Sequence, residues 1–301
     1  MKSIVISIIA CFLSSTLSAQ KEYYLSQGEN TIHLTTFGAG DPLLIINGGP
    51  GMSSEGFRTL ADKLSNNHLA IIYDQRATGE STIPDVNTNT ITMDAMIEDI
   101  EFIREHFKFD RWIVMGHSFG GMLASYYAAN HSQRVKGMIL SSSGGINMDA
   151  FSSINITGKL SSKQRDSLNY WSNQIAAGDT SYHALYQRGK YLAPAYLYNQ
   201  AHVPVVAERL TQGNLSLNRL VFQDLYRINF DCSEGLKNIK VPVLIIQGKD
   251  DIINLSTAEA AKEVLPHAKI VLLPNCGHYG WLDQPRQYFE AIEKFFELIG
   301  T

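Results

Sequence analysis

A serine at the centre of a glycine-flanked turn is the residue of this chain best suited to nucleophilic chemistry. Ser118 lies in the segment GHSFG at 116–120, directly after the apolar run 112–115, and apolar residues then recur at helical spacing. A strand, a sharp turn and a helix in this order form a nucleophile elbow, in which small neighbours let the strand and the helix cross. We therefore predict that Ser118 is a nucleophile rather than a helix-capping serine.

Two late segments supply the base and the acid that an activated serine requires. In chains built around such an elbow, the acid and then the histidine follow the serine in sequence. The apolar run 243–246 is followed by Asp250 and Asp251, and the run 270–273 is followed by His278. We predict His278 as the base, whereas the spacing alone does not separate the two aspartates.

Two backbone N–H groups are candidates for an oxyanion hole, which stabilises the negative charge of a tetrahedral intermediate. Phe119 directly follows the predicted nucleophile, and its N–H would lie at a helix N-terminus. Gly49 lies in the segment NGGPG at 47–51, where glycines let the backbone approach a substrate closely. The loop at 47–51 has neither the lysine of a Walker sequence nor G-x-G-x-x-G spacing, so a nucleotide site is not indicated.

Composition and charge exclude other classes of function. The chain has 25 basic and 29 acidic residues, a net charge of −4, and no run of either sign, so a nucleic-acid partner is not expected. It contains no H-E-x-x-H segment and no paired Cys-x-x-Cys, so we predict no metal and no cofactor.

Strands that alternate with helices position these residues. The predicted strands are two antiparallel ones within 22–37, followed by 43–46, 69–73, 112–115, 137–140, 243–246 and 270–273. The predicted helices in the same part of the chain are 56–64, 92–107, 257–264 and 286–299. The pattern predicts an α/β fold with a mostly parallel, eight-stranded sheet flanked by helices, formed by residues 21–145 and 236–301.

Residues 146–235 interrupt this alternation. They contain no apolar strand run, and their helical stretches are rich in aromatic residues. We interpret this segment as an inserted helical cap over the carboxyl ends of the strands, where open α/β sheets bind ligands.

The N-terminus is typical of an export signal. Lys2 precedes the apolar stretch 4–13, and small residues follow up to Ala19, near which a peptidase would cut. The apolar stretch is too short to span a bilayer. We predict a signal peptide at 1–20 and an exported, periplasmic or secreted protein without a membrane span. A lipid anchor on Cys11 is the second choice, because the apolar stretch continues past it.

Three motifs resemble those of the prolyl iminopeptidase family within the α/β-hydrolase fold. They are NGGPG at 47–51, DQRATGES at 74–81 and GHSFGGMLA at 116–124. The resemblance covers nearly the whole chain after the N-terminal segment. It implies a capped serine peptidase that releases an N-terminal residue, often proline, from short peptides through an acyl-enzyme. It also implies that Asp251, at the G-x-x-D position 248–251, is the acid of a catalytic triad.

The chain departs from that family within these motifs. Asn47 replaces a histidine, Ala77 replaces a glycine, and Phe119 replaces the usual tryptophan of the elbow. Arg76, in the second motif, is interpreted as structural, pairing with nearby carboxylates or carbonyls.

A further departure concerns the acid that holds the substrate's α-ammonium group in aminopeptidases of this type. One family pattern has this acid directly after the triad aspartate, where this chain has Ile252. The remaining candidates, in order of preference, are Glu208 in the cap, Asp250 and Asp224.

Two other functions compete with the peptidase. An esterase, lactonase or amidase acting on a small apolar acyl substrate would use the same serine machinery. A catalytically silent binding protein would keep the fold, but Ser118, Asp251 and His278 are all present and argue against it. The expected partner is thus a small peptide or a small ester or amide, and the sequence does not indicate the oligomeric state.

Overall fold

One sheet of eight strands organises the part of the chain that the computed structural model describes, residues 20–149 and 154–300. The strands are β1 (Lys21–Gln27), β2 (Asn30–Phe37), β3 (Asp41–Ile46), β4 (His68–Tyr73), β5 (Trp112–His117), β6 (Val135–Ser141), β7 (Val243–Gly248) and β8 (Lys269–Leu273). Their order across the sheet is β1-β2-β4-β3-β5-β6-β7-β8. The pairs β1–β2 and β2–β4 are antiparallel, and every other pair is parallel. The predicted mostly parallel, eight-stranded sheet is confirmed.

Helices cover both faces of this sheet. The α-helices of the described residues are α1 (Arg58–Leu64), α2 (Met93–His106), α3 (Phe119–Asn130), α4 (Ser162–Ala176), α5 (Tyr182–Leu192), α6 (Val203–Leu210), α7 (Leu215–Arg227), α8 (Ser233–Lys237), α9 (Leu255–Val264), α10 (Gly280–Asp283) and α11 (Pro285–Ile299). Successive residues of β3 belong to different cores, because side chains alternate along a strand. Leu44 belongs to a core that includes residues of α2, α3 and α9, whereas Leu43 belongs to a core that includes residues of α1 and α11. Burial on both faces explains why the parallel strands have continuous apolar sequences.

The segment between the neighbouring strands β6 and β7 is a helical insertion. It contains α4 to α8, and none of its described residues joins the sheet. Asn147 and Asp231 form an isolated antiparallel bridge, and the N–H of Cys232 donates to the carbonyl oxygen of Ile146 at 2.8 Å. These contacts lie close to both ends of the predicted cap, 146–235. The division of the chain into core and cap domains stays a prediction.

The predicted signal peptide lies almost wholly outside the described residues. Only Gln20 of the range 1–20 is described, and Cys11 and Ala19 are not. Export and the alternative lipid anchor therefore stay predictions, which N-terminal sequencing of the mature protein would test. The described part of the chain has no helix both long enough and apolar enough to cross a membrane.

A buried ion pair attaches the loop after β4 to α2. The Arg76 guanidinium donates to both oxygens of Asp99, at 2.7 and 2.6 Å, and to the carbonyl oxygens of Thr90 and Ala95. The two charged side chains are 9% and 4% exposed. Burial raises the pKa of Asp99, and the adjacent guanidinium opposes that rise. These contacts agree with the structural role predicted for Arg76.

We expect Arg76→Met to lower the free energy of unfolding by about 3–5 kcal/mol, because it leaves the Asp99 carboxylate buried without a counter-charge. Without Arg76, the pKa of Asp99 lies further above its unfolded value, so the folded state binds this proton more tightly. The loss of unfolding free energy should therefore be small at acid pH and should grow as the pH rises through the pKa of Asp99 in the folded variant. Urea unfolding at several pH values measures this dependence.

Arg58 offers a matched control, because it pairs with Glu22 and Glu55 at the surface. Arg58→Met should change the stability by no more than about 1 kcal/mol. Equal losses of unfolding free energy in Arg76→Met and Arg58→Met would show that the buried Arg76–Asp99 pair matters no more than the surface pairs.

Candidate active site

The turn between β5 and α3 holds Ser118 in a strained conformation. Its φ of 56° and ψ of −122° lie in a region that residues with a Cβ rarely adopt. A Cβ on Gly116 would lie 2.1 Å from the carbonyl oxygen of Gly120, and a Cβ on Gly120 would lie 2.1 Å from that of Ile46. Gly116 and Gly120 are therefore required by the close approach of α3 to β5 and β3.

His278 and Asp251 form a buried hydrogen-bonded pair. His278 Nδ1 lies 2.7 Å from Asp251 Oδ1, with the side chains 3% and 0% exposed. The carboxylate also accepts the N–H of Ile253 and the Nε2 amide of Gln247, at 3.1 and 2.8 Å. Because an ionised carboxylate only accepts, the hydrogen of a neutral imidazole lies on Nδ1, and Nε2 keeps its lone pair. His278 thus has the tautomer that a general base requires.

Asp250, the other aspartate left open by the sequence, does not reach His278. Its side chain is exposed, its N–H donates to the carbonyl oxygen of Cys276, and its own carbonyl oxygen accepts from the Lys159 ammonium. The structure therefore brings Asp251, and not Asp250, to the imidazole.

Ser118 and His278 line one cavity of about 480 Å³ at the carboxyl ends of the strands. Gly49 and Phe119, the two predicted oxyanion donors, line the same cavity. Much of the remaining wall is apolar and includes Met52, Met122, Ile154, Ile156, Leu210, Phe222, Ile252 and Ile253. The four residues, predicted from three separate segments, thus meet at one space large enough for a small substrate.

His117, next to the serine, is fully buried among aromatic rings. Its ring centroid lies 4.6 Å from that of His278 and 4.8 Å from that of Trp281. Burial lowers the pKa of His117 well below its usual value, and the nearby His278 and Arg209 add to this effect. His117 is therefore a neutral part of the wall.

The carboxylates considered for binding an α-ammonium group lie outside this cavity. Glu208 is exposed, accepts a hydrogen bond from the Tyr182 hydroxyl, and lines a separate cavity. Asp224 is buried and accepts from the Arg227 guanidinium and the N–H of Met93. The structure thus does not bring Glu208 or Asp224 together with Ser118.

Three residues with no predicted role contact the site. The Gln247 side chain donates to Asp251, and Arg209 lines the cavity. The carbonyl oxygen of Tyr196 accepts the backbone N–H of His278 at 2.7 Å. Gln247 had a signal in the sequence, because it directly follows the apolar run 243–246 and lies four residues before Asp251. The roles of Tyr196 and Arg209 depend on how the cap folds back, for which the sequence has no local signal.

The family model of the alpha/beta hydrolase fold matches residues 41–285, which is most of the chain. The chain belongs to the α/β hydrolase fold family. As an α/β hydrolase it is expected to have its nucleophile on an elbow after a central strand, where Ser118 lies.

Relatives of this α/β hydrolase include proteins named proline iminopeptidase. The one from Lactobacillus crispatus is 27% identical over 285 residues, which cover 85% of this chain and 90% of the relative. The one from Saccharolobus solfataricus is 26% identical over 280 residues, which cover 87% and 86%. The predicted resemblance to prolyl iminopeptidases is confirmed.

Solved structures of other α/β hydrolases share the fold. A Bacillus anthracis hydrolase of the alpha/beta fold family superposes with a TM-score of 0.75 at 18% identity, covering 91% of this chain and 99% of its own. The 2-hydroxy-6-oxo-6-phenylhexa-2,4-dienoate hydrolase of a Rhodococcus strain gives 0.73 at 19% identity, covering 93% and 99%. At such identities the likeness shows the fold alone.

We expect Gly120→Ala to destabilise the protein by about 3 kcal/mol or more, because the new methyl group would overlap a backbone oxygen of β3 that cannot move alone. Gly213→Ala is the control, since its Cβ would meet ordinary contacts no closer than 3.5 Å. Thermal unfolding of both variants measures the difference. An unchanged midpoint for Gly120→Ala would show that the crossing tolerates a side chain.

Proposed function

We propose that the protein is a serine hydrolase in which Ser118 is the nucleophile, His278 the general base and Asp251 the acid that orients the base. The proposal is carried by one observation: His278, which is paired with the buried Asp251, lines the same cavity as the strained elbow serine. A serine, a histidine and a carboxylate arranged in this way are a recurrent device for acyl transfer.

In the proposed reaction, Ser118 Oγ attacks the substrate's carbonyl carbon while His278 Nε2 takes the hydroxyl proton. The carbonyl oxygen becomes an oxyanion, and the Asp251 carboxylate stabilises the imidazolium. As the tetrahedral intermediate collapses, the leaving amine or alcohol receives the proton from Nε2, and the acyl group remains on Ser118. Water then releases the acid by the same steps.

The oxyanion in this mechanism is held by the N–H groups of Phe119 and Gly49. Phe119 is the first residue of α3, and the first N–H groups of a helix have no partner within it. Gly49 lies in the loop after β3 with a φ of +70° and lines the cavity beside Ser118. Each such donor is typically worth about 3 kcal/mol in the transition state.

For the substrate, we propose first a short peptide from which an N-terminal residue, often proline, is released. The relatives named proline iminopeptidase and the three motifs shared with that family support this choice. The apolar wall of the cavity suits the pyrrolidine ring of a prolyl group.

A second candidate is a small ester, lactone or amide with an apolar acyl group, and one observation favours it. No aspartate or glutamate among the described residues lines the cavity with Ser118, and residues 1–19, 150–153 and 301 contain none. An α-ammonium group would therefore meet only neutral acceptors there, close to the Arg209 guanidinium. A neutral acyl group requires no counter-charge.

We expect Ser118→Ala to lose about six orders of magnitude in kcat while keeping its unfolding temperature, because only the nucleophile is removed. A fluorophosphonate probe should label the wild-type protein and not the variant, as read by intact mass. Wild-type protein that stays unlabelled, or a variant that keeps its turnover, would contradict the proposed mechanism.

Proline p-nitroanilide and p-nitrophenyl acetate separate the two substrate classes. The first choice predicts a higher kcat/KM for proline p-nitroanilide than for acetyl-proline p-nitroanilide, because an aminopeptidase recognises the free N-terminus. The second candidate predicts activity on the acetate and no preference for the free amine. Activity confined to the ester would reject the peptidase.

A further inference from the structure

Arg209 of α6 reaches from the cap into the wall of the Ser118 cavity. Its Nη2 donates to the carbonyl oxygen of Gly48 at 2.8 Å, and its Nη1 donates to the Tyr279 hydroxyl at 2.9 Å. The guanidinium lies over the Phe57 ring, 4.9 Å from its centroid, and the residue is only 7% exposed. A cap side chain is thus packed and hydrogen-bonded against the loop that follows β3.

The charge of Arg209 has no carboxylate partner among the described residues. Its hydrogen bonds go to a carbonyl oxygen and a hydroxyl, whereas the buried Arg76 has the carboxylate of Asp99. Glu208, its neighbour in sequence, bonds Tyr182 instead. A buried cation without a counter-charge is costly, so a site that holds one is prepared for negative charge that appears during function.

The acceptor of this hydrogen bond belongs to the peptide unit of the proposed oxyanion donor. The carbonyl oxygen of Gly48 and the N–H of Gly49 lie on one planar group and point in opposite directions. A donor fixed on the oxygen therefore sets the direction of the N–H, and it polarises the group so that the N–H donates more strongly. Asn47 Nδ2 supports the same oxygen from the core at 3.2 Å.

We propose that Arg209 is a positioning residue that aligns and polarises the Gly48–Gly49 peptide for oxyanion stabilisation. Its uncompensated charge then acts on the transition state through that peptide, and the oxyanion hole is complete only when α6 lies in place. This inference rests on the proposed function, because it assumes attack by Ser118 and an oxyanion at Gly49.

Two variants test this role. Arg209→Met removes the charge and the hydrogen bonds but keeps an apolar stem against Phe57, and Arg209→Lys keeps a charge without the planar fork. The readouts are kcat and KM on p-nitrophenyl acetate and the inhibition constant of phenyl trifluoromethyl ketone. The ketone carbon bonds to Ser118 Oγ, the hydroxyl proton passes to His278, and the ketone oxygen becomes an oxyanion.

We expect Arg209→Met to lower kcat about 10- to 100-fold, with KM changed less than about threefold, because the loss is below that of a whole donor. Binding of the ketone should weaken by a similar factor. The kcat and the ketone affinity of Arg209→Lys should lie between those of Arg209→Met and those of the wild type. Arg219→Gln, at an exposed arginine of α7, is the control and should match the wild type.

A rise in KM with unchanged kcat would overturn the inference, since Arg209 would then bind the substrate's ground state. A fall in kcat without weaker ketone binding would overturn it as well. If Arg209→Met shows no cooperative unfolding transition, Arg209→Lys provides the same comparison. Wild-type protein that no fluorophosphonate labels would reject the proposed function itself, whereas labelled protein with unaltered kinetics in both variants would reject only the role of Arg209.

Discussion

The close approach of α3 to the end of β3 is the constraint on which the candidate site depends. With no side chain at Gly120, the start of the helix lies directly against the backbone of Ile46, and the loop after β3 passes beside the elbow. A Cβ on Gly48 would lie 2.5 Å from that of Ser118. Backbone packing thus places Gly49 and Phe119 on the walls of one cavity, so the proposed oxyanion donors need little reorganisation when charge develops.

The sheet was predictable from sequence because parallel strands buried on both faces have continuous apolar runs. The strand ends were less predictable. The apolar signal of β7 stops at Ile246, yet Gln247 and Gly248 continue its pairing with β8. Pairing depends on the backbone, which a polar or small residue supplies as well as an apolar one. A polar residue in the last positions of a strand, such as Gln247, therefore has no apolar signal that assigns it to the strand.

The site was predictable only where the order of elements fixes it. Ser118 directly follows β5, and His278 is the one histidine in the loop after β8. The choice between Asp250 and Asp251 depends on a turn in which the Asp250 N–H donates to the carbonyl oxygen of Cys276 and the Asp250 side chain faces solvent. On α6, the charge of Glu208 favours it as the ammonium-binding residue, but it is its neighbour Arg209 that lines the cavity. The face that a cap helix turns inward is set by tertiary packing, which helical periodicity in a mostly polar, aromatic segment does not specify.

The contacts of α6 and α7 with the loop after β3 make the proposed oxyanion site depend on two distant parts of the chain. Besides Arg209, the Asn218 side chain donates to the carbonyl oxygen of Pro50, and the Asn214 N–H donates to that of Gly51. Three of the four carbonyl groups from Gly48 to Gly51 therefore accept hydrogen bonds from α6, α7 or the residue directly before α7. A cap movement that widened the cavity on this side would break those bonds and disturb the peptide that carries the Gly49 N–H. The proposed mechanism therefore implies that substrate binding and catalytic rate are coupled through the helices between β6 and β7.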